Sequence, residues 1–258
     1  MNALENRWQN NEAATNAWIS MPQPFHAELA VAAGFDAVTV DLQHGLVEMR
    51  DVPNVLAGVN PGAFPMVRVP WLDPAAIMKA MDCGAMGVIV PMVNTAEQAA
   101  EMASYGLYPP QGVRSNGPIR TLVTQGMEYG AKANEMSYRF AMIETKEAVA
   151  NAEAILSTPG VDGFYMGPAD LARSHGYAPK LDHEDGELLD IILHVLKIAK
   201  KLGKRAGIHC GAPAYGKRMA AEGFDLTTVW ADGVALKASS AKAIADFNDT
   251  EAGETSAY

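Results

Sequence analysis

Eight short apolar runs, rich in β-branched residues, alternate along this chain with longer segments of helical spacing. Strands that alternate with helices predict a parallel sheet, because parallel neighbours need a long crossover connection that is usually a helix. Eight such units are the number that closes a (β/α)8 barrel. The expected strands span 15–21, 36–42, 64–69, 87–93, 139–145, 162–167, 205–210 and 225–232, and the expected helices 24–33, 47–58, 73–83, 95–105, 146–156, 186–202, 212–222 and 232–246.

The chain length of 258 residues fits one domain of this kind. We therefore predict a single-domain (β/α)8 TIM barrel over residues 1–258, with a doubly wound parallel sheet as the alternative architecture. The N-terminal segment 1–13 is polar, and the acidic tail 247–258 is expected to fray. Residues 106–138 interrupt the alternation with a Pro- and Gly-rich loop and a polar helical stretch, and such long insertions are often functional.

Charge and composition exclude several classes of partner. Twenty Lys and Arg against 30 Asp and Glu give a net charge of −10, which opposes binding to nucleic acid or to an anionic membrane. The N-terminus has no apolar signal region, and no apolar run approaches the roughly 20 residues of a membrane span. Cys83 and Cys210 are too few for a disulfide framework. We expect a cytoplasmic protein with a small-molecule substrate.

In a (β/α)8 barrel the active site forms at the carboxyl ends of the strands, so polar residues there are the first candidates. The second expected strand ends in Asp41, three residues before His44, and this carboxylate is a candidate to orient the imidazole as a general base. The third ends in Arg68, whose guanidinium suits two-point capture of a substrate carboxylate. The alternatives are an exposed turn histidine and a structural ion pair.

Two further carboxylates follow neighbouring strands, Glu144 after the fifth and Asp170 after the sixth. One or two protein carboxylates, completed by water and substrate, are the usual site for Mg²⁺ or Mn²⁺. Helix capping is the alternative role for each acid. Gly167, Pro168 and Ala169 resemble a tight strand-to-helix turn whose free backbone N–H groups suit an anion.

Two aromatic residues complete the candidates. Trp18 ends the first strand and is expected to line the pocket, although a tryptophan in a barrel is more often part of the core. His209 ends the seventh strand, where a buried histidine with satisfied hydrogen bonds is the default and substrate binding is the alternative.

Several spaced motifs then appear in a characteristic order from about Trp18 to Asp232: AWIS, VDLQHG, VRVPW, VPMV, YPPQGVR, IET and VDGFYMGPADL. Together they resemble the HpcH/HpaI aldolase/citrate lyase family, the class II pyruvate aldolases with a barrel of the phosphoenolpyruvate/pyruvate type. The resemblance implies reversible retro-aldol cleavage of a 4-hydroxy-2-oxo acid, through a metal-stabilised enolate, to pyruvate or a similar 2-oxo acid and an aldehyde.

Carried over to this chain, the resemblance makes His44 the catalytic base held by Asp41, and Arg68 the group that binds and polarises the 2-oxo acid. Glu144 and Asp170 become ligands of Mg²⁺ or Mn²⁺, with Co²⁺ as a further candidate. The substrate carboxylate then meets the backbone from Gly167 to Asp170, with Trp18 and His209 also in the substrate-binding set. The resemblance also implies a homo-oligomer, a hexamer or trimer of dimers, with the last helix docked on a neighbour.

Three positions depart from the family pattern: Met142 stands where relatives often have Gln, His209 where they tend to be apolar, and Trp230 where they often have Gly. The last two are expected near the mouth of the site, so they bear on the choice of aldehyde. Two other functions stay open. One is an acyl-CoA lyase of the malyl-CoA or citramalyl-CoA kind, and the other is a non-catalytic ligand-binding barrel.

Overall fold

The computed structural model describes residues 2–59 and 61–250. The strands are β1 (Ala14–Ile19), β2 (Ala37–Asp41), β3 (Phe64–Arg68), β4 (Gly87–Val90), β5 (Tyr138–Ile143), β6 (Gly163–Met166), β7 (Arg205–His209) and β8 (Leu226–Ala231). The helices are α1 (Ala3–Gln9), α2 (Pro24–Ala32), α3 (Val52–Val59), α4 (Pro74–Asp82), α5 (Ala96–Gly106), α6 (Ile119–Gln125), α7 (Tyr129–Met136), α8 (Lys146–Ala150), α9 (Ala152–Ser157), α10 (Pro168–Ser174), α11 (Gly186–Lys201), α12 (Pro213–Glu222) and α13 (Asp232–Phe247).

The eight strands pair in sequence order, all parallel, and β8 pairs with β1 to close the barrel. The predicted single-domain (β/α)8 TIM barrel is confirmed, and the doubly wound alternative is wrong. Every predicted strand is present, and each is followed by at least one helix. All carboxyl ends therefore lie at one face, where a barrel of this kind builds its site.

Side chains alternate between two apolar layers because successive residues of a strand point to opposite faces. Outward residues such as Val38, Val40 and Val67 pack under the helices, in the larger apolar cluster. The smaller cluster fills the barrel itself and comprises Leu4, Trp8, Ala14, Trp18, Ala37, Phe64, Met66, Ile89, Phe140, Met142, Tyr165 and Leu226. The residues that end the strands on the inward face thus lie directly above this interior packing.

The polar N-terminal segment forms a helix, which its composition did not predict. Asn2 caps α1 by accepting the N–H of Glu5, and the Glu5 side chain accepts the N–H of Asn2. Leu4 and Trp8 are buried in the barrel interior, and the Trp8 indole N–H donates to the carbonyl of Asp225. The segment therefore closes the amino-terminal end of the barrel, opposite the candidate site.

Two predicted helices differ clearly from the structure. The segment predicted at 47–58 becomes helical only from Val52, and the one predicted at 146–156 breaks at Asn151 into α8 and α9. Within 106–138 the chain forms α6 and α7. Of the tail predicted to fray, residues 251–258 lie outside the described residues. In the described ranges, none of the helices combines the length and apolarity needed to cross a membrane.

The last helix, α13, leaves most of its apolar side chains exposed. Leu236, Ile244 and Phe247 are all exposed, whereas Asp232 and Ala245 are its buried residues. On the neighbouring α2, Phe25 and Leu29 are exposed as well. One side of the barrel thus carries an apolar surface that the described residues do not cover.

Candidate active site

A cavity of about 270 Å³ opens at the carboxyl ends of the strands. Every residue predicted for the site lines it, which brings together residues from six strand ends or the loops after them. Five further lining residues come from the same face. The full lining is Trp18, Ser20, Asp41, His44, Arg68, Met142, Glu144, Gly167, Pro168, Ala169, Asp170, Leu181, His209, Ala231 and Val234.

Asp41 and Arg68 form a buried ion pair inside this cavity. They are register partners at the ends of β2 and β3, so their side chains leave the sheet side by side. The Arg68 Nε donates to Asp41 Oδ1 at 2.8 Å, and Nη2 donates to Oδ2 at 2.7 Å. Burial alone would raise the pKa of Asp41, but the hydrogen bonds and charge of Arg68 outweigh it and hold that pKa below its ordinary value.

This pair corrects the expected role of Asp41 toward His44. The Asp41 carboxylate does not orient the His44 imidazole. Its one contact with His44 among the described residues is the backbone N–H, at 3.5 Å, and it also accepts the backbone N–H of Gln43 at 3.0 Å. The His44 side chain is exposed, and within residues 2–59 and 61–250 its ring has no hydrogen-bond partner. Its nitrogens are therefore free to meet a substrate at the rim of the cavity.

Glu144 is a buried carboxylate with one oxygen held by the backbone. Its Oε1 accepts the N–H of Met92 at 2.8 Å, and its Oε2 lies against Gly167, so closely that a side chain at 167 would collide with it. Burial raises the pKa of Glu144 to about 7; the Met92 hydrogen bond opposes this rise, and the negative charge of Asp170 adds to it. Asp170 itself is exposed to the cavity.

These two acids fit a hard divalent cation. They repel one another, and among the described ion pairs neither has a Lys or Arg partner within 4 Å. Oxygen donors alone suit Mg²⁺ or Mn²⁺ rather than a soft metal. The described part of the chain holds no group of three or more His, Cys, Asp or Glu placed to bind a metal. Glu144 and Asp170 would therefore be the residues to hold such a cation, with water and substrate supplying the other oxygens.

Trp18 forms an aromatic wall between the ion pair and the floor of the cavity. The Arg68 guanidinium lies 4.8 Å from the centroid of the Trp18 ring. Tyr165 stacks on Trp18 with centroids 5.7 Å apart, and His209 meets it edge-on at 4.8 Å. Trp18 is thus both a pocket wall, as predicted, and part of the barrel core.

The sequence reasoning missed Asp232, which organises the β8 side of the cavity. Its buried carboxylate accepts the Ser20 hydroxyl at 2.6 Å and the backbone N–H groups of Ser20, Met21 and Gly233. His26 is a further neighbour, because its Nδ1 lies 3.0 Å from Asp232 Oδ2. The strand-end rule that identified Asp41 and Glu144 applies equally to Asp232, which is the last residue of the predicted eighth strand.

Trp230 does not line the 270 Å³ cavity itself, but it lines a second cavity of about 210 Å³ that shares His209 and Ala231 with the first. Thr228 pairs with Asn16 and Trp230 with Ala17, so Val229 is the extra residue of a bulge in β8. The bulge changes the inward-outward alternation and turns Trp230 into the helix layer, where it packs against Phe35 with ring centroids 6.0 Å apart. Ala231 takes the place facing the cavity.

The fold and the acid-bearing site define a class of barrel lyase, and the comparisons place the chain within it. The family model for HpcH/HpaI aldolase/citrate lyase matches residues 15–231. A hydroxypyruvate/pyruvate aldolase of Rhizorhabdus wittichii is 41% identical over 247 residues, covering 95% of this chain and 98% of the relative. A 2-keto-3-deoxy-L-rhamnonate aldolase of Salmonella gallinarum is 32% identical, covering 90% and 87%.

Solved structures agree with these relatives. The crystal structure of an HpcH/HpaI aldolase/citrate lyase family protein from Burkholderia cenocepacia superposes with a TM-score of 0.86 at 29% identity, covering 96% of this chain and all of that one. The chain belongs to the HpcH/HpaI aldolase/citrate lyase family. It is a carbon–carbon lyase of the class II aldolase type.

Proposed function

We propose that this aldolase depends on a divalent metal and reversibly cleaves a 4-hydroxy-2-oxo acid to an aldehyde and pyruvate or a similar 2-oxo acid. The observation that carries the proposal is the opposition, across one cavity, of the guanidinium of Arg68 and the two acids Glu144 and Asp170. Such a site has a cationic group for a 2-oxo acid and oxygen ligands for Mg²⁺, Mn²⁺ or Co²⁺. The names of the relatives support pyruvate or hydroxypyruvate as the 2-oxo acid.

Arg68 is suited to bind and polarise the 2-oxo group because Asp41 fixes its guanidinium while leaving Nη1 without a protein partner among the described residues. The substrate carboxylate would meet the first backbone N–H groups of α10, at Ala169 and Asp170, which have no acceptor within a helix. A metal held by Glu144 and Asp170 would take up negative charge that develops on the 2-oxo oxygen.

His44 is the proposed general base. In the cleavage direction its ring would remove the proton from the 4-hydroxyl, and the C3–C4 bond would then break to release the aldehyde and leave the enolate of the 2-oxo acid. Protonation of that enolate gives pyruvate. In the synthetic direction a proton leaves the pyruvate methyl group first. Arg68 would stabilise the enolate in both directions, since its positive charge is held in a buried position.

The deciding experiment is exchange of the pyruvate methyl protons with solvent deuterium, followed by NMR, before and after exhaustive chelation. We expect exchange that chelation abolishes and that added Mg²⁺, Mn²⁺ or Co²⁺ restores. Glu144→Gln and Asp170→Asn should abolish it as well, whereas Glu153→Gln, at an exposed acid paired with Lys201, should not. Full exchange after chelation would refute the metal dependence.

Assays of aldol cleavage and of CoA thioester turnover separate the other two candidate functions. Turnover of CoA thioesters without aldol cleavage would reassign the protein to the acyl-CoA lyases. The absence of both reactions in the metal-loaded protein would leave a ligand-binding barrel.

We also propose that the chain forms a homo-oligomer through α13 and α2. A second copy of the chain is the expected partner because Leu29 of α2 and Leu236 of α13 line an apolar cavity of about 260 Å³. Ile244 and Phe247 extend the exposed apolar surface along α13. Light scattering should give a mass several times 27.5 kDa, with a hexamer as the expected state. Phe247→Asp should reduce the mass, and a monomeric wild type would contradict the proposal.

A cytoplasmic location remains a proposal. It is supported by Cys83 and Cys210, which are both free and buried, as thiols are in a reducing compartment. Fractionation of the source cells, with the protein detected by antibody, tests it.

A further inference from the structure

A chain of hydrogen bonds runs through the barrel interior and ends at His209. The Thr39 hydroxyl donates to Asn16 Oδ1 at 3.0 Å, and Asn16 Nδ2 donates to the Thr228 hydroxyl at 2.7 Å. The Thr228 hydroxyl meets the hydroxyl of Tyr165, which lies 3.3 Å from His209 Nδ1. Asn16, Thr39, Thr228 and Tyr165 are fully or almost fully buried, so water does not replace any of these partners.

The direction of donation follows from a count of protons. The Thr228 hydroxyl has two partners among the described residues, and it already accepts from Asn16. Its own proton must therefore go to Tyr165, because a buried hydroxyl proton without an acceptor is costly. The single proton of Tyr165 is then left for His209 Nδ1. A ring whose Nδ1 accepts a hydrogen bond carries its proton on Nε2.

The surroundings of His209 keep this ring neutral. Burial lowers its pKa to about 3, and the positive charge of Arg68 acts in the same direction, against the weaker opposite effect of Asp41. Tyr165 is held protonated, because burial raises its pKa far above the ordinary value. The pair is therefore a neutral phenol donating to a neutral imidazole, and His209 Nε2 is an N–H donor.

The Nε2 group has no partner in the described residues, although the ring lines the active-site cavity. Next to it the cavity continues into a second one of about 210 Å³, and Leu181, His209, Ala231 and Val234 belong to both linings. This extension runs along β7 and β8. Glu144 and Asp170, which lie after β5 and β6, line only the first cavity, so the extension leads away from the proposed 2-oxo acid position.

We infer that His209 determines specificity for the aldehyde half of the substrate, donating from Nε2 to an oxygen such as the hydroxyl of a 2-hydroxyaldehyde. The inference rests on the proposed aldolase function for its substrate, and on the buried chain of hydrogen bonds for its chemistry. Of the four residues that line both cavities, His209 is the one with a side-chain hydrogen-bond donor. Where the cavities join, this favours an acceptor aldehyde that carries oxygen, since an apolar substituent leaves the donor unsatisfied. Tyr165 and Thr228 are positioning residues, which act through His209.

The tautomer is tested first, by two-bond ¹H–¹⁵N NMR of ¹⁵N-histidine-labelled protein, with the His209 signals assigned by their loss in His209→Asn. We expect Nε2 protonated and Nδ1 unprotonated in the wild type. Tyr165→Phe should move the ring toward a mixture of tautomers, whereas Tyr177→Phe, at an exposed tyrosine bonded to Glu187, should not. A wild-type ring protonated on Nδ1, or on both nitrogens, would overturn the inference.

The specificity is tested with glycolaldehyde and propionaldehyde, which differ by a hydroxyl in place of a methyl group. His209→Asn places its amide near the position of Nδ1 and withdraws the Nε2 donor, whereas His209→Gln reaches the position of Nε2 with an N–H. We expect the ratio of kcat/KM for glycolaldehyde to that for propionaldehyde to fall in His209→Asn. The fall should be roughly 2- to 10-fold, which is the effect of losing one hydrogen bond between neutral groups. The ratio should stay close to wild type in His209→Gln.

Two results separate the failure of this inference from the failure of the proposed function. A ratio that is unchanged in His209→Asn, in a protein that exchanges pyruvate methyl protons, would refute the role of His209 alone. A wild type without pyruvate exchange would refute the proposed function and with it the substrate assignment. The tautomer of His209, measured by NMR, would still test the buried chain of hydrogen bonds.

Discussion

Arg68 and Asp41 form a two-point ion pair between neighbouring strands, in which both carboxylate oxygens accept a guanidinium N–H within 2.8 Å. The geometry fixes the plane of the guanidinium and places it over Trp18. Because both oxygens of Asp41 bond to Arg68, this carboxylate does not hold the His44 imidazole, the role that the sequence had assigned to it. Arg68 is consequently a preorganised cation in the cavity, and His44 is a separate group at the rim.

Replacing Arg68 tests this preorganisation. Arg68→Lys should raise KM for pyruvate and lower kcat, because an ammonium cannot donate to both Asp41 oxygens in one plane and still face the substrate. Loss of a hydrogen bond to a charged group, about 1.5–3 kcal/mol, corresponds to roughly a 10- to 150-fold drop in kcat/KM. Steady-state kinetics measure it, with Arg7→Lys, in an exposed ion pair with Glu12, as the control. Unchanged kinetics would make the Arg68 role structural.

His44→Ala separates the proposed base from the metal site. Because the metal ligands are carboxylates, Mn²⁺ affinity should stay close to wild type, while single-turnover cleavage slows by roughly 10²- to 10⁴-fold. The exposed His194 of α11 offers a matched control, and His194→Ala should alter neither quantity. Near-normal cleavage by His44→Ala would mean that the base is a different group.

Gly167→Ala tests the position of Glu144. The added methyl group would occupy the space of Glu144 Oε2, so the carboxylate must move away from its place beside Asp170. We expect Mn²⁺ affinity to fall roughly 10- to 100-fold, the range found when groups that hold a ligand are changed. Gly130→Ala in α7, where the nearest atom lies 3.5 Å from the added carbon, is the control and should bind Mn²⁺ normally. Isothermal titration measures both, and equal affinities would count against Glu144 as a ligand.

The depressed pKa of His209 predicts a contribution to acid sensitivity. An unfolded histidine takes up a proton near its ordinary pKa of 6.5, whereas folded His209 stays neutral down to a pKa of about 3, facing the cation Arg68, the anion Asp41 and the phenol of Tyr165. The unfolded state therefore binds more protons than the folded state below pH 6.5. The contribution of His209 to the free energy of unfolding is fully present above pH 6.5 and is lost as the pH falls toward 3.

Denaturant unfolding of the wild type and of His209→Asn from pH 7 to pH 5 measures this contribution. We expect the wild type to lose roughly 1–2 kcal/mol more than the variant across that range, because one extra proton is worth about 1.4 kcal/mol per pH unit. His194→Asn, at the exposed histidine of α11, should follow the wild type. Parallel pH curves for wild type and His209→Asn would show that His209 titrates normally in the folded protein.

The site was largely predictable because strand ends are readable from local sequence. Apolar runs of β-branched residues identified all eight strands, and in a barrel their carboxyl ends must converge, which brought Asp41, Arg68, Glu144 and Asp170 into one cavity. Asp232 obeys the same rule and was missed for lack of a recognisable motif around it. The helix of segment 1–13 was missed because its burial against the barrel, rather than its composition, stabilises it.

What the sequence by itself determined was therefore the barrel, its strand ends and the set of polar groups that meet there. Only the tertiary structure decided which groups pair. The register of β2 against β3 sets Asp41 beside Arg68 and away from His44, and one extra residue in β8 turns the Trp230 ring toward the helix layer. Strand formation depends on neighbours in the sequence, whereas pairing and side-chain direction depend on register between segments far apart, where a shift of one residue reverses the face.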